Sequence, residues 1–197
     1  MWHFFTGTKI IAKGKNVDIR TVNLFDYKCF AKWFNNTEIM GNAFGIIAED
    51  RYVLKLAKDY FRELTDTPYN AYTIVSKKGK QIGIIRFSIR GIENKHAMLG
   101  ILLGEKRFLG KGYGTEAMFL ILEYFFSHRN LQYVELDTAV FNERAQRTFR
   151  KCGFKDVGEF QEVDYNTGNI LYKILMRVEK EPFFELLQSS KNHYFED

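Results

Sequence analysis

The sequence predicts an α+β fold: a single domain built on a mixed, mostly antiparallel sheet with helices on both faces. Three observations lead there. Short β-rich segments between Ala71 and Leu103 follow one another through tight turns, as in a meander. A glycine-punctuated loop, Gly104 to Gly114, then hands over to a helix with a continuous apolar stripe. A strand, a second helix and a final hairpin complete the chain.

In order, Val17 to Thr21 reads as a strand, and Leu24, Phe25, Phe30, Ala31 and Phe34 suit a helix that Asn35-Asn36-Thr37 breaks. Tyr52, Val53, Leu56, Tyr60, Phe61 and Leu64 recur at helical spacing across Ala48 to Leu64, before the stop Thr65-Asp66-Thr67-Pro68. The meander is Ala71 to Ser76, Gln81 to Arg90 and His96 to Leu103, joined by Lys77-Lys78-Gly79-Lys80 and Gly91-Ile92-Glu93-Asn94. Ala117, Leu120, Ile121, Tyr124 and Phe125 form the stripe of the next helix. Tyr133 to Val140 is a strand. Asn142 is the N-cap of a helix through Cys152, with Gly153 at its C′ position. Lys155 to Val163 and Ile170 to Val178 form a hairpin, and the tail after Pro182, with Phe183, Phe184, Leu186 and Leu187, reads as a short docking helix.

Composition narrows the class. The 197 residues are 46% hydrophobic, 16% aromatic and 27% charged, which excludes a disordered chain, a collagen-like fibre and a disulfide scaffold. Cys29 and Cys152 are far apart and lack a CxxC partner, so no metal or disulfide framework is expected and a reducing cytoplasm suits them. No run of about eighteen apolar residues predicts a membrane span, and the N-terminus lacks the pattern of a secretory signal. The net charge of +5 suits nucleic acid or a polyanionic small ligand, but there is no basic–aromatic array, so nucleic acid is not the expected partner.

The chemistry lies in Arg107-Phe108-Leu109-Gly110-Lys111-Gly112-Tyr113-Gly114-Thr115-Glu116-Ala117. Alternate glycines at 110, 112 and 114 remove three Cβ atoms where a strand gives way to a helix. Backbone N–H groups there can turn towards one anion, and the helix N-terminus adds partial positive charge. A Walker A loop does not fit, since five residues separate Gly104 from Gly110 and Gly112 stands where a hydroxyl is needed. Gly112-Tyr113-Gly114-Thr115-Glu116-Ala117 matches G-x-G-x-x-A, with Asp137 on the next strand, but antiparallel strands precede it and too few βα units follow.

The third cradle is a coenzyme A pyrophosphate loop. From Leu99 to Phe154 the chain resembles the GNAT superfamily of acyl-CoA-dependent N-acetyltransferases. Leu109-Gly110-Lys111-Gly112-Tyr113-Gly114 is similar to the family's Arg/Gln-x-x-Gly-x-Gly/Ala motif, departing at its first position. Asn142, Ala145, Phe149, Gly153 and Phe154 follow its Asn-x-x-Ala-x-x-x-Tyr-x-x-x-Gly-Phe signature. Trp33-Phe34-Asn35-Asn36-Thr37-Glu38 looks like the Trp-x-Asn-Asp-x-Glu segment of the branch with ribosomal-protein, spermidine and aminoglycoside acetyltransferases. The likeness spans residues 17 to 178.

The resemblance implies acetyl-CoA as co-substrate and direct attack by a primary amine in a ternary complex. Backbone groups of Ile101, Leu102 and Leu103 would pair with the pantetheine arm, one N–H acting on the thioester carbonyl. Gly110, Lys111, Gly112, Tyr113, Gly114 and Thr115 would hold the pyrophosphate and Asn142 the pantetheine, with Leu109 and Phe149 as further cofactor contacts. Phe149 replaces the usual Tyr acid, and Met98 stands where many relatives carry a Glu. His96, two residues from Met98 on the same strand face, is a candidate base or a surface histidine near a turn. Glu135 and Asp137 share a face of the next strand and are either water-ordering acids or ion-pair partners. Trp33, Glu38, Arg86 and Tyr165 are expected acceptor-site residues, with Tyr72 and Asp164 as further liners. Arg86, Ser88 and Arg90 alternate onto one face, which hints at an anionic acceptor. The other reading is an acyl-CoA-binding module without turnover. The acceptor is a small-molecule or peptide amine, no membrane partner is expected, and the apolar end of the chain suggests a homodimer.

Overall fold

A computed structural model describes residues 7–44, 71–91, 93, 95–163 and 168–195. One eight-stranded sheet runs in the order β1 (Ile10–Lys13), β2 (Val17–Thr21), β3 (Ala71–Ser76), β4 (Gln81–Arg90), β5 (His96–Leu103), β6 (Tyr133–Ala139), β8 (Ile170–Glu179), β7 (Lys155–Val163). Every neighbouring pair is antiparallel except β5 with β6. Among the described residues there are five α-helices: α1 (Tyr27–Phe34), α2 (Thr37–Phe44), α3 (Tyr113–His128), α4 (Glu143–Lys151) and α5 (Lys180–Tyr194).

The β3–β4–β5 meander, the glycine-led helix and the final hairpin lie where the apolar pattern puts them. Three elements differ from expectation. Ile10–Lys13 forms a strand, but a four-residue edge strand with exposed ends carries almost no periodic signal. Leu24–Asp26 is a tight 3-10 turn before α1, because Asp26 folds inward. A second short helix follows Asn36, whose backbone and side-chain oxygens accept from Met40 N at 3.0 Å and Ile39 N at 3.1 Å. The helix expected at Ala48 to Leu64 lies outside the described residues.

Two apolar clusters sandwich the sheet. The larger joins α3, α4 and α5 to one face through Ile85, Phe87, Leu99, Phe119, Phe125, Val134, Leu136 and Phe183. The smaller places Phe30, Trp33, Phe34, Ile39 and Met40 of α1 and α2 over Ala71, Ile84 and Leu102 on the other. A register shift between Ile74 and Val75 makes Ile82 the extra residue of β4. Beyond it the strand alternates cleanly: Ile85, Phe87 and Ile89 face α3, while Arg86, Ser88 and Arg90 share the opposite face with Ile84.

Two buried carboxylates lock this frame. Asp26 is fully buried and takes both Nη atoms of Arg20, at 2.8 and 2.6 Å, together with the Thr73 hydroxyl at 2.6 Å and the Gln81 amide. An interior carboxylate persists only when its charge and lone pairs are met in this way. Glu116, in the first turn of α3, accepts from Asn16 N at 2.6 Å, Asn16 Nδ2 at 2.8 Å and Val17 N at 3.0 Å. It pins the start of α3 to the β1–β2 turn. Tail residues Phe183 and Leu187 are buried on α5, so the tail covers its own apolar face. By contrast, the final hairpin exposes Phe160, Val163, Ile170 and Tyr172.

Candidate functional site

The site is the place where the sheet splits. β5 and β6 pair at only three positions: His96 with Tyr133, Ala97 with Val134, and Met98 with Glu135. Beyond Met98 the pairing stops. A cleft of about 860 Å³ opens there, with Leu99–Leu103 on one side and Leu136–Ala139 on the other. β5 remains paired to β4 along its whole length, so the unpaired edge of residues 99–103 is held straight.

The glycine loop forms one end of the cleft. Leu109, Gly110, Gly112, Gly114 and Thr115 all line it. Gly110 and Gly112 have φ of +72° and +86°, a region L side chains rarely enter. A Cβ built at either would meet nothing within 4 Å, so backbone conformation and not packing demands glycine there. Gly112 is the residue from which α3 starts, and Glu116 fixes the direction of that helix. The resulting helix N-terminus favours an anion. Lys111 is exposed and Tyr113 packs edge-to-face on Phe108 at 4.9 Å; both belong to the loop without lining the cleft.

α4 supplies a wall. Asn142 caps it by accepting from Ala145 N at 3.2 Å and also lines the cleft. Arg144, Arg147, Thr148 and Lys151 follow on one helical face. That i, i+3, i+4, i+7 pattern was present in the sequence and is the signal by which these cations could have been found. Phe149 is buried beside Phe154 and reaches the cleft edge with a ring that carries no proton to give. Cys152 is wholly buried, 3.7 Å from the Thr115 carbonyl oxygen, and burial pushes its thiol pKa up, so it is no nucleophile.

The far half of the cleft is formed by Arg86, Ser88 and Arg90 of β4, Met98 and Gly100 of β5, and Asp137 of β6. Arg90 Nε donates to Ser88 Oγ at 3.1 Å. Glu38 on α2 pairs with Lys106, and both line the cleft. Asp137 pairs with Lys173 at 2.9 Å, and Lys173 also meets Glu162. Burial alone would lower the Lys173 pKa, but the two carboxylates outweigh it and hold it above the usual value. Among the described residues that line the cleft, seven are cations, Arg86, Arg90, Lys106, Arg144, Arg147, Lys151 and Lys173, and two are acids, Glu38 and Asp137.

Besides Lys111 and Tyr113, four residues expected at the site do not line the cleft: His96, Glu135, Trp33 and Tyr72. His96 stacks on Tyr133, centroids 4.8 Å apart, and Glu135 takes Arg177 Nε at 3.0 Å and Nη2 at 2.8 Å. Both lie in the stretch where β5 and β6 are still paired; Asp137 lies beyond it. Trp33 is fully buried beneath Gly104, and its Nε1 donates to Glu105 Oε1 at 3.2 Å. Tyr72, also raised as an acceptor liner, packs in the α3-side core against Phe87, where its hydroxyl accepts from Arg129 Nη2 at 3.2 Å. Tyr165 and Asp164 lie outside the described residues. Among the described residues no group of three or more His, Cys, Asp or Glu side chains is arranged to hold a metal, and no helix is long and apolar enough to cross a membrane.

A split sheet, a left-handed glycine loop at a helix start and a cation-rich cleft make a site for an extended, polyanionic ligand. The Acetyltransferase (GNAT) domain matches residues 16–155, and the chain belongs to the GNAT family of N-acetyltransferases, enzymes that use acetyl-CoA. Solved structures of the same fold include a GNAT-family acetyltransferase from Bacillus anthracis, 15% identical with a TM-score of 0.71, covering 86% of this chain and 98% of that one. Another is spermidine N-acetyltransferase from Vibrio cholerae in complex with CoA and spermine, 21% identical with a TM-score of 0.69, covering 85% and 98%. A third, a probable acetyltransferase, is 22% identical with a TM-score of 0.67, covering 89% and 98%. No curated protein matches the chain by sequence.

Proposed function

We propose that the chain moves the acetyl group of acetyl-CoA to a primary amine by direct attack within a ternary complex. The observation that carries this is the seam between β5 and β6, where pairing stops at Met98 and Glu135 and the cleft begins. Main-chain groups of Ile101, Leu102 and Leu103 would pair with the amides of a pantetheine arm as an added strand. An N–H of that edge would polarise the thioester carbonyl. The glycine loop would receive the pyrophosphate, and Arg144, Arg147 and Lys151 the remaining phosphate.

Acetyl-CoA supplies the thioester, whose carbonyl carbon gains a C–N bond as the C–S bond breaks and the thiolate leaves with the electron pair. Asp137, which lines the cleft beyond the seam, would take the amine proton, directly or through a water. Lys173 holds that carboxylate in place. Phe149 cannot protonate the thiolate, which therefore takes its proton from solvent. A thiol pKa near ~8.5 makes this leaving group tolerable without an acid. The same Phe149 favours a second reading, an acyl-CoA-binding module with little turnover.

CoA thiol release is measured against a panel of primary amines, for wild type, Gly112→Trp and Asp137→Asn. Acceptor-dependent release that disappears in Gly112→Trp, and falls about 10²-fold or more in Asp137→Asn with acetyl-CoA affinity retained, is the expected result. Binding of acetyl-CoA without release for any amine would favour the second reading.

A further inference from the structure

We infer that the cleft accepts acyl groups of three and four carbons as well as acetyl, and that the bare strand position Gly100 makes the room for them. The inference rests on the acyl-transfer reading above and names the acyl range of the co-substrate.

Gly100 is a glycine that neither the backbone nor the packing requires. It stands in the middle of β5, where glycine weakens a strand. Its φ lies outside the left-handed region that holds Gly110 and Gly112. A Cβ built on it would meet nothing within 4 Å among the described residues. Gly83, inside β4, is different: a Cβ there would lie 2.5 Å from the Leu102 carbonyl oxygen. A strand glycine with empty space above it marks a place where a ligand comes close. Gly100 is exposed and lines the cleft.

The seam decides which end of the ligand comes there. Pairing between β5 and β6 stops at Met98 and Glu135. A ligand laid along residues 101–103 as an added strand would run into that pair, so its far end has to leave the plane of the sheet. The α3 side is filled, since Leu99, Leu136 and Phe149 are buried there. The other side carries no side chain at Gly100. Strand alternation puts Met98, Gly100 and Leu102 on that side, with Asp137 across the seam and Arg86 opposite on β4. The acyl carbonyl would thus emerge beside Asp137, and a longer acyl chain would lie over the Gly100 backbone. Met98, Leu102 and Ile39 line the cleft and offer apolar surface to its methylenes. Chain length leaves the chemistry unchanged. The acyl carbon gains the C–N bond as its C–S bond breaks, the thiolate leaves with the electron pair and is protonated by solvent, and the amine proton passes to Asp137.

The test is calorimetric titration of free CoA, acetyl-CoA, propionyl-CoA and butyryl-CoA into wild type, Gly100→Ala and Gly100→Val, with a thermal melt of each protein. Wild type should bind propionyl-CoA and butyryl-CoA at least as tightly as acetyl-CoA, gaining up to about fourfold per added methylene. Gly100→Val should weaken butyryl-CoA about tenfold or more relative to acetyl-CoA and free CoA, with Gly100→Ala in between. Wild type that binds butyryl-CoA more weakly than acetyl-CoA overturns the inference. A smaller loss in Gly100→Val, or one shared equally by free CoA, also overturns it; the former would give the gap to the acceptor. Should Gly100→Val melt well below wild type, the wild-type series and Gly100→Ala decide. CoA release with a panel of primary amines is followed for all three thioesters. Release confined to acetyl-CoA sinks this inference alone. Length selectivity that depends on Gly100, without amine-dependent release, supports it and counts against the transfer reading. No binding of any thioester overturns both.

Discussion

Gly104→Ala is the sharpest test of how the first helix positions the site. A Cβ on Gly104 would lie 2.0 Å from Trp33 Cδ2, 2.1 Å from Cγ and 2.4 Å from Cε2. Trp33 is fully buried, and its ring packs tilted on Phe30 at 5.7 Å, so it has no open side to retreat to. Overpacking of this kind costs about 1–3 kcal/mol. If the indole moves, the Trp33–Glu105 bond goes too, and an unsatisfied buried donor adds about 1–3 kcal/mol. The expected destabilisation is about 2–6 kcal/mol, and for a chain of this size that lowers Tm by about 4–24 °C. Gly104 sits between the unpaired edge of β5 and the 3-10 turn Lys106–Phe108 that leads into the glycine loop, so acetyl-CoA affinity should fall with stability. Differential scanning calorimetry and acetyl-CoA titration on the variant read both quantities. The double variant with Trp33→Leu should recover part of the Tm. A Gly104→Ala protein within about 1 °C of wild type, with unchanged acetyl-CoA affinity, would refute the reasoning, since about 2 °C is the least that 1 kcal/mol produces here.

Further outcomes are expected. Burial alone would raise the Glu105 pKa, but Lys32, Lys80 and Trp33 all donate to it and bring it down to about 2. Its folded pKa is thus below the unfolded value of 4.5, so its stabilising contribution is complete above pH 4.5 and is lost as pH falls towards 2. Thermal melts across that window should show a smaller acid-induced loss in Glu105→Gln than in wild type; parallel curves would contradict this. Phe149→Tyr places a phenol at the cleft edge, and steady-state CoA release should rise severalfold if thiolate protonation limits the rate, within the ~10²–10⁴ that general acids supply. An unchanged kcat would show that solvent protonation is not limiting. Arg144→Ala combined with Lys151→Ala should weaken acetyl-CoA binding about tenfold and flatten its salt dependence, as loss of charge-assisted contacts does; equal salt slopes would exclude phosphate contact there.

The sequence disclosed most of the scaffold because its signals are local. Tight turns at Gly79 and Gly91, both with left-handed φ, set the meander, and the alternating glycines marked the start of α3. Asn142 and Gly153 punctuated α4 as caps do, with Gly153 at φ +90°. What stayed hidden depends on long-range events. His96, Glu135 and Asp137 look alike as titratable residues on adjoining strands. Only the point where β5 and β6 cease to pair separates them, and no residue type announces it. Trp33 looks equally fit for a pocket or a core, and its burial was decided by the missing side chain of Gly104, seventy-one positions away. Asp26 has no local signal of burial; Arg20, Thr73 and Gln81 converge on it from separate strands. The α4 cations share a helical face, but nothing in their spacing tells a ligand-facing surface from a solvated one.

The early end of the β5–β6 ladder sets the kinetics of the sheet's own protons. Edge amides normally exchange fastest at the rim of a sheet, yet here an edge lies in the interior, flanked by β4 on one side and open to solvent on the other. Amides of residues 99–103 that point across the seam should therefore exchange with deuterium far faster than their neighbours directed at β4. A pantetheine strand laid along that edge would slow exactly alternate residues, so occupancy could be read as a two-residue ripple in protection along a single strand.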